Sequence, residues 1–588
     1  RLQIEINNIN DLLRSDSICG VYEPTMSIAS WLYVCVLSLL AGLAGWVYIK
    51  KNHRNSNMDV VPSSTTSNTS SDIADEEEWD EEHETGNLID KHNSPSFKHT
   101  PRGVELEEGS WLSAFDVQTN FSKLFNTDVH EGRQTVLDGI RVFSIWWIML
   151  GHTVAIPSSL VGYSNPTDFL PPNGDISGWF GQLVFGSRFA VDSFFFLSGF
   201  LLVASSKKLI RQQNRPWFLQ YLYSWPKVLM WRLIRLFPLY LVTLFFWMFL
   251  APFFSLGAPF TQQWRFLMEP CYKNWMYSIL MVQNFLGGPT CGKCFCHSWY
   301  LDADVQLFLF PGLFLSYLYL RSPKWAIRAA WGVCSASLCL VVYLSYVRKW
   351  SVLSLDGAAV ERFDIEGYSK PFVRAQPYVV GMIVSMYHQQ ETQPTQIRHH
   401  RWVLLLSILS MGFVLFITTT GAYMARPCNN YEWPHKDNCG SIKWNPFYTF
   451  AYTAFCRIIW SLGLGLFVWV LLHHQDNAIH RILSHRYWIP LSRLTFGIYL
   501  IHFMVLYIWQ LNLRHQIHFS YMNVVWTFIM TWVWSFAMAV VVAFTVELPV
   551  HHLVKRLTEK RSTSGTSQKN GETDKYGATT ATTTTTEK

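Results

Sequence analysis

Leu137-Asp138-Gly139-Ile140-Arg141-Val142-Phe143-Ser144-Ile145-Trp146-Trp147-Ile148-Met149-Leu150-Gly151-His152 opens an apolar run that continues to about residue 156. About twenty such residues cross the hydrocarbon core of a bilayer. The run is therefore a membrane span that carries a guanidinium near its start and an imidazole far inside it. Ionisable groups in a span are costly, so each is a functional candidate by default. Eleven residues of helix separate Arg141 from His152, about 16 Å of rise. Their angular offset is only about 20° after whole turns, so both project from one face. The bland reading of His152 is a hydrogen-bonded structural histidine near the outer boundary. The functional reading is a cavity with a cation at one boundary and an imidazole deeper in.

Outward from this stretch, apolar blocks recur at short intervals. They predict spans at about 137–156, 180–203, 236–256, 302–320, 326–346, 372–387, 402–420, 448–472, 488–510 and 522–546, preceded by one at 28–49. Of the 588 residues, 50% are hydrophobic and only 15% charged. Soluble domains carry about 25% charged residues, so an ordinary soluble enzyme is excluded. The formal charge of +6 is spread over a large surface and names no nucleic-acid partner. The expected fold is an all-α polytopic membrane bundle of about eleven transmembrane helices. Residues 50–134 hold a Ser/Thr-rich patch and the acidic run from Asp75 to Glu82, and read as a disordered linker. The Thr-rich tail, 556–588, reads likewise. The chain begins at Arg1 with no signal peptide ahead of the first span, so residues 1–27 read as the end of a truncated segment.

With the linker placed inside, the inside loops hold 19 Lys/Arg and the opposite loops 11. That bias sets the amino end outside and the carboxyl end in the cytosol. Cys271, Cys291, Cys294 and Cys296 then share one outside loop, and Cys428 and Cys439 another. Cysteines in an oxidising compartment pair, which predicts Cys428–Cys439 and a bridge from Cys271 to one of the other three. The run Cys291-x-x-Cys294-x-Cys296-His297 also has a zinc reading, but the outside location favours disulfides and no metal is expected. Cys35, Cys334, Cys339 and Cys456 lie in spans as small apolar fillers.

Other ionisable groups cluster. Arg188 and Asp192 are four apart and suit a helical ion pair; alternatively Asp192 orients His152. Asp302 and Asp304 stand at the mouth of another span. Arg232 and Arg235 share a helix face at the inner end of a span and suit either a phosphate grip or positive-inside anchoring. The Arg141–His152 face suits a long molecule with an anionic head and a reactive far end, as acyl-coenzyme A is.

Five segments in order carry a family resemblance: Leu137 to His152; Val191-Asp192-Ser193-Phe194-Phe195-Phe196-Leu197-Ser198-Gly199-Phe200; Arg232-Leu233-Ile234-Arg235; Trp299-Tyr300-Leu301-Asp302-Ala303-Asp304-Val305-Gln306-Leu307-Phe308; and Leu494-Thr495-Phe496-Gly497-Ile498-Tyr499-Leu500-Ile501-His502. With the exit at Glu547-Leu548-Pro549, residues 135–555 resemble the acyltransferase-3 family of membrane proteins. The Arg374-Ala375-Gln376-Pro377-Tyr378-Val379-Val380-Gly381 pattern is similar to its animal nose-resistant-to-fluoxetine branch, whose members add an outside Cys-containing domain and a first span. One departure is Asp302, where relatives usually have a small apolar residue, while Asp304 keeps the usual acidic position. The resemblance implies acyl transfer from cytosolic acyl-CoA to a hydroxyl acceptor such as a lipid or sterol. Arg141, Arg232 and Arg235 would bind the donor's phosphates. His152 would be the base, Asp192 its orienting group, and Asp304 and His502 cavity residues. The branch has also been associated with lipid and drug uptake, so the alternative is a transport or permeability factor that keeps the fold without the chemistry.

The orientation gives the first prediction. The two Asn-x-Ser/Thr sequons, at Asn68 and Asn120, both fall in the segment placed inside. Glycosidase treatment of protein from cells should leave its gel mobility unchanged, and a shift abolished by Asn68→Gln or Asn120→Gln would invert the topology.

Overall fold

A computed structural model describes residues 26–58, 111–129, 133–170, 174–209, 217–254, 258–286, 294–352, 357–391, 399–424, 446–513 and 515–554. Among them the only β pairing is an isolated bridge between Tyr163 and Ile517. In hydrocarbon every backbone N–H and C=O must be satisfied internally, and a helix does so within one segment. The apolar runs accordingly form the helices α1 (Ile28–Met58), α3 (Thr135–Leu160), α4 (Trp179–Leu209), α5 (Trp217–Phe245), α7 (Trp299–Leu307) with α8 (Leu313–Arg321), α9 (Pro323–Arg348), α11 (Pro371–His388), α12 (His400–Met424), α13 (Pro446–His473), α14 (Trp488–Leu511) and α15 (Tyr521–Val542). Shorter or amphipathic helices are α2 (Val117–Phe125), α6 (Ala258–Ile279) and α10 (Gly357–Glu366).

Nine helices among the described residues are long and apolar enough to cross a membrane, and the chain is an integral membrane protein. The two remaining expected spans are α11 and α12. Arg374, Gln376 and Pro377 lower the apolar character of α11, which tolerates them because residues 373–383 are all buried inside the bundle. At the periphery, α1, α9 and α15 turn Leu39, Tyr346 and Trp526 outward, as lipid-facing helices do.

Two apolar cores lie side by side. One joins α4, α7, α8, α9, α11 and α13 around Phe195, Phe196, Phe200 and Tyr378. The other joins α3, α5, α14 and α15 around Ile145, Met149, Tyr240 and Leu500. Tyr300 packs against both, so the seam between them runs past the start of α7. Lipid tails remove the hydrophobic incentive for one helix to choose another, so close backbone approach at small residues takes over. A Cβ on Gly199 of α4 would stand 2.0 Å from Tyr378 O, and one on Gly381 of α11 would stand 2.0 Å from Phe196 O. Each glycine thus receives the other helix's backbone.

Several expectations need correction. The span expected from 236 begins earlier, so Arg232 and Arg235 lie well within it: the continuous apolar stretch already includes Tyr221 and runs on to Phe254. Between the spans expected at 236–256 and 302–320 lies α6, and between those at 326–346 and 372–387 lies α10. Within the segment expected to be a disordered linker, α1 continues to Met58 and residues 111–126 fold. There Asp116 caps α2 by accepting from Gln118 N–H at 3.2 Å, and also pairs with Lys51 of α1 at 2.5 Å. Burial works against the Asp116 charge, yet the bonds from Lys51, Thr119 and Gln118 outweigh it and hold its carboxyl below the usual range. Leu124 buries one face of α2, and Arg493 of α14 donates to Lys123 O, Leu124 O and Asn126 O at the other end. Asn120 is fully buried and donates to Ala114 O at 3.0 Å, which leaves no room for a glycan. Cys271 is bonded to Cys294, one of the bridges expected; Cys428, Cys439 and Cys291 lie outside the described residues.

The glycine contact is testable. Gly381→Ala should lower the thermal midpoint of the purified protein, since forcing a methyl into a close-packed contact costs about 1–3 kcal/mol. Gly332→Ala, at a helical position with nothing within 4 Å of its Cβ, should be neutral or slightly stabilising. Equal midpoints for the two variants would refute the close-approach assignment.

Candidate active site

Helices α3 and α14 run parallel, and they meet twice along one face. Arg141 Nη1 donates to Ser492 Oγ at 3.0 Å. Eleven residues further along α3 and ten along α14, His152 Nδ1 lies 2.9 Å from His502 Nε2. The helical phase read from the sequence therefore brings both α3 groups to the same neighbour. The rings of His152 and His502 are nearly parallel, at 8°, with centroids 5.2 Å apart.

The order of protons in this pair follows from its last acceptor. His502 Nδ1 lies 3.1 Å from Ile498 O. A carbonyl only accepts, so His502 carries its proton on Nδ1 and presents a lone pair at Nε2. His152 Nδ1 must then be the donor between the rings, and its Nε2 keeps the lone pair. The backbone of α14 thus assigns the tautomer of His152 and leaves the basic nitrogen unengaged by the relay.

A third imidazole, not predicted as a site residue, completes this end. His297 follows the Cys271–Cys294 bridge, and is buried against Phe503 with ring centroids 4.5 Å apart. Its Nε2 lies 3.2 Å from Leu500 O, and its own carbonyl accepts from Tyr499 Oη. Its centroid is 6.0 Å from that of His502. His297 Nδ1 is buried with no hydrogen-bond partner among the described residues. The signal in the sequence was present, since His297 stands three residues after the bridged Cys294, but the Cys/His spacing also allowed a zinc reading.

At the other end of the seam, Asp304 of α7 accepts from Ser198 Oγ at 2.6 Å and is paired with Arg232 of α5. The Arg232 guanidinium covers the Phe308 ring at 4.3 Å. Tyr300, half-buried, is within electrostatic reach of Asp304, Arg232 and Arg141. The Arg232–Asp304 pair and Arg141 thus both act on Tyr300, while Arg141 is bonded to Ser492 of α14. Arg235 is exposed on α5, where its charge acts on Glu547. Asp302 serves a different purpose: it is fully buried, and its Oδ2 accepts from Asn284 N–H at 3.2 Å.

Asp192 is the expectation that fails geometrically. Its Oδ1 accepts from Arg374 Nη1 at 2.6 Å, and Oδ2 lies 3.9 Å from Arg457 Nε. With both oxygens facing arginines, the carboxylate is not the group beside His152; His502 takes that place. Arg188 is not its ion-pair partner either, for it donates to Val352 O at 3.3 Å. Arg457 passed unnoticed in the sequence although an arginine within an apolar run is itself a signal.

A family model described as an acyltransferase domain, the acyltransferase-3 model, matches residues 135–548. The chain belongs to that family. It is 27% identical over 455 residues to nose resistant to fluoxetine protein 6 of Caenorhabditis elegans, covering 73% of this chain and 51% of the relative. It is 25% identical over 273 residues to regulator of hypoxia-inducible factor 1 of the same organism, covering 42% and 50%. The chain thus spans about half the length of the curated relatives it matches. No solved structure matches it.

The relay fixes a measurable property. Solid-state ¹⁵N spectra of histidine-labelled protein should show a neutral His152 protonated at Nδ1, its signal identified by its loss in His152→Gln. A proton on Nε2 instead would contradict the assigned order.

Proposed function

We propose that this acyltransferase-domain protein moves an acyl group from acyl-CoA to a hydroxyl acceptor, such as a lipid or sterol, with His152 as general base. The observation that carries the reading is the Ile498–His502–His152 relay, which leaves the His152 Nε2 lone pair available on the face shared with Arg141. The acceptor O–H gives its proton to Nε2 as its oxygen attacks the thioester carbonyl. The carbon–sulfur bond then breaks, and the coenzyme leaves as a thiolate that takes the proton back from the imidazolium. His502 keeps the ring in its tautomer, and Arg141 with Arg235 draws the donor's phosphates to the other end. Arg232 contributes to that grip less than the sequence implied, because Asp304 already neutralises it.

The arginine end is placed in the cytosol, where the Lys/Arg excess puts it, and the Cys271–Cys294 end outside, where disulfides persist. On this reading the amino terminus is outside and the carboxyl terminus in the cytosol. The donor enters from the cytosolic side, and the acceptor reaches His152 from the membrane or the far side.

Purified protein with labelled acyl-CoA and a lipid extract tests this. His152→Ala should lower transfer by about 10²–10⁴-fold, the worth of a positioned base, with acyl-CoA binding retained. Arg235→Ala should weaken acyl-CoA binding per correctly inserted molecule and leave the acceptor constant nearly unchanged. Unaltered turnover in His152→Ala would remove the mechanism. Lipid or drug uptake that survives an Arg141→Ala, His152→Ala double variant at normal surface level would instead favour the transport reading.

A further inference from the structure

The charges around Asp192 do not balance. Asp192, Arg374 and Arg457 come from α4, α11 and α13, and are 1%, 0% and 4% exposed. Two guanidiniums and one carboxylate leave a net charge of +1 in a fully buried place. Arg188 adds a third guanidinium, half-buried, over the Tyr368 ring, and Asp364, half-buried and acting on the same Tyr368, offsets it, so the excess stays at +1. Desolvating a charge without a partner is expensive, and more so within a bilayer.

The hydrogen-bond inventory shows the same excess. Arg374 gives Nη1 to Asp192 and Nε to Tyr368 O at 3.0 Å, but its Nη2 has no partner among the described residues. Arg457 has none at Nε or Nη1, and its nearest carboxylate oxygen is the 3.9 Å one of Asp192. Three hydroxyls on the surrounding helices are already engaged. Ser193 Oγ bonds Phe189 O and receives Trp460 Nε1, while Ser461 Oγ bonds Arg457 O and Tyr452 Oη bonds Val414 O. The walls are aromatic: Trp299 and Tyr368 cover Arg374 at 5.1 and 4.7 Å, and Phe363 covers Arg457 at 4.9 Å. Ring faces attract a cation but accept none of its in-plane N–H bonds.

We propose that Arg374 and Arg457 hold one small monovalent anion, a halide or a carboxylate, beside Asp192 between α4, α11 and α13. One negative charge cancels the excess, whereas a phosphate dianion would overshoot it. The unsatisfied edges of the two guanidiniums are the donors such an anion takes. Bound there, it ties together three helices that otherwise share one carboxylate. The site uses neither His152 nor Arg141, so it stands or falls independently of acyl transfer.

The test is thermal unfolding of the purified full chain in nanodiscs, with chloride or formate replacing gluconate at constant ionic strength. Binding to the folded state raises the midpoint saturably, by about 2 °C or more at saturation, and the arm that saturates identifies a halide or a carboxylate. Arg457→Gln should abolish the dependence. A midpoint equal in all three anions, or a chloride or formate effect that persists in Arg457→Gln, would overturn the site. Should that variant fail to fold, anomalous diffraction from wild-type crystals in saturating bromide, or in formate with bromide competed in, decides: bromide between Arg374 and Arg457 supports the site and its absence there overturns it.

Discussion

A charge carried into hydrocarbon has to find a partner, and in this chain that requirement decides which helix stands against which. Lipid tails are as apolar as leucine, so burial alone cannot distinguish one span from another. Three contacts do so. Arg232 of α5 meets Asp304 of α7, Arg374 of α11 meets Asp192 of α4, and Arg141 of α3 meets Ser492 of α14. Each joins segments far apart in sequence. Gly199 and Gly381 then let α4 and α11 close to backbone contact, so the polar pairs select the neighbours and the small residues set the distance.

The α3–α14 pair shows what such selection achieves. Two contacts some ten residues apart fix both the register and the direction of the helices, and a slip of one turn, about 5.4 Å, would break both. Because the second contact ends on a backbone carbonyl, the proton order of His152 rests on a helix and not on a mobile side chain. A carboxylate in the place of His502 would also orient the ring, but it would bring a further charge into the bundle that needs its own counter-ion. A neutral imidazole does not.

Much of this was legible in the sequence, because the signals are local. Span length and hydropathy mark the helices, and the phase of Arg141 and His152 follows from 3.6 residues per turn. The ordered motifs point to the family. What was not legible depends on which spans touch. Nothing near Asp192 in sequence reveals that Arg374 and Arg457 approach it, since they come from α11 and α13. The same holds for Asp304, whose pairing with Arg232 turns an expected phosphate ligand into half of an ion pair. Residues 111–126 were misread for a different reason. Their apolar residues form only a short amphipathic stretch, not a run long enough to span a bilayer, and they fold with Asp116 capping the helix, Lys51 paired with the cap and Arg493 closing the far end.

One turn of α14 organises the imidazole end. Ile498 O takes the His502 proton, Leu500 O takes that of His297, and Tyr499 Oη bonds the His297 carbonyl. His502 itself faces His152. A five-residue stretch of backbone therefore positions three rings that come from α3, from α14 and from the turn after the Cys271–Cys294 bridge. Carbonyls inside a helix normally serve only their own i+4 amides; here two of them accept a second bond with the remaining lone pair. That is why the stretch Leu494 to His502 carries a motif without a carboxylate, a thiol or a lysine in it. Its contribution lies in where its backbone carbonyls point and in two of its own side chains, His502 and Tyr499, which meet His152 and the His297 carbonyl.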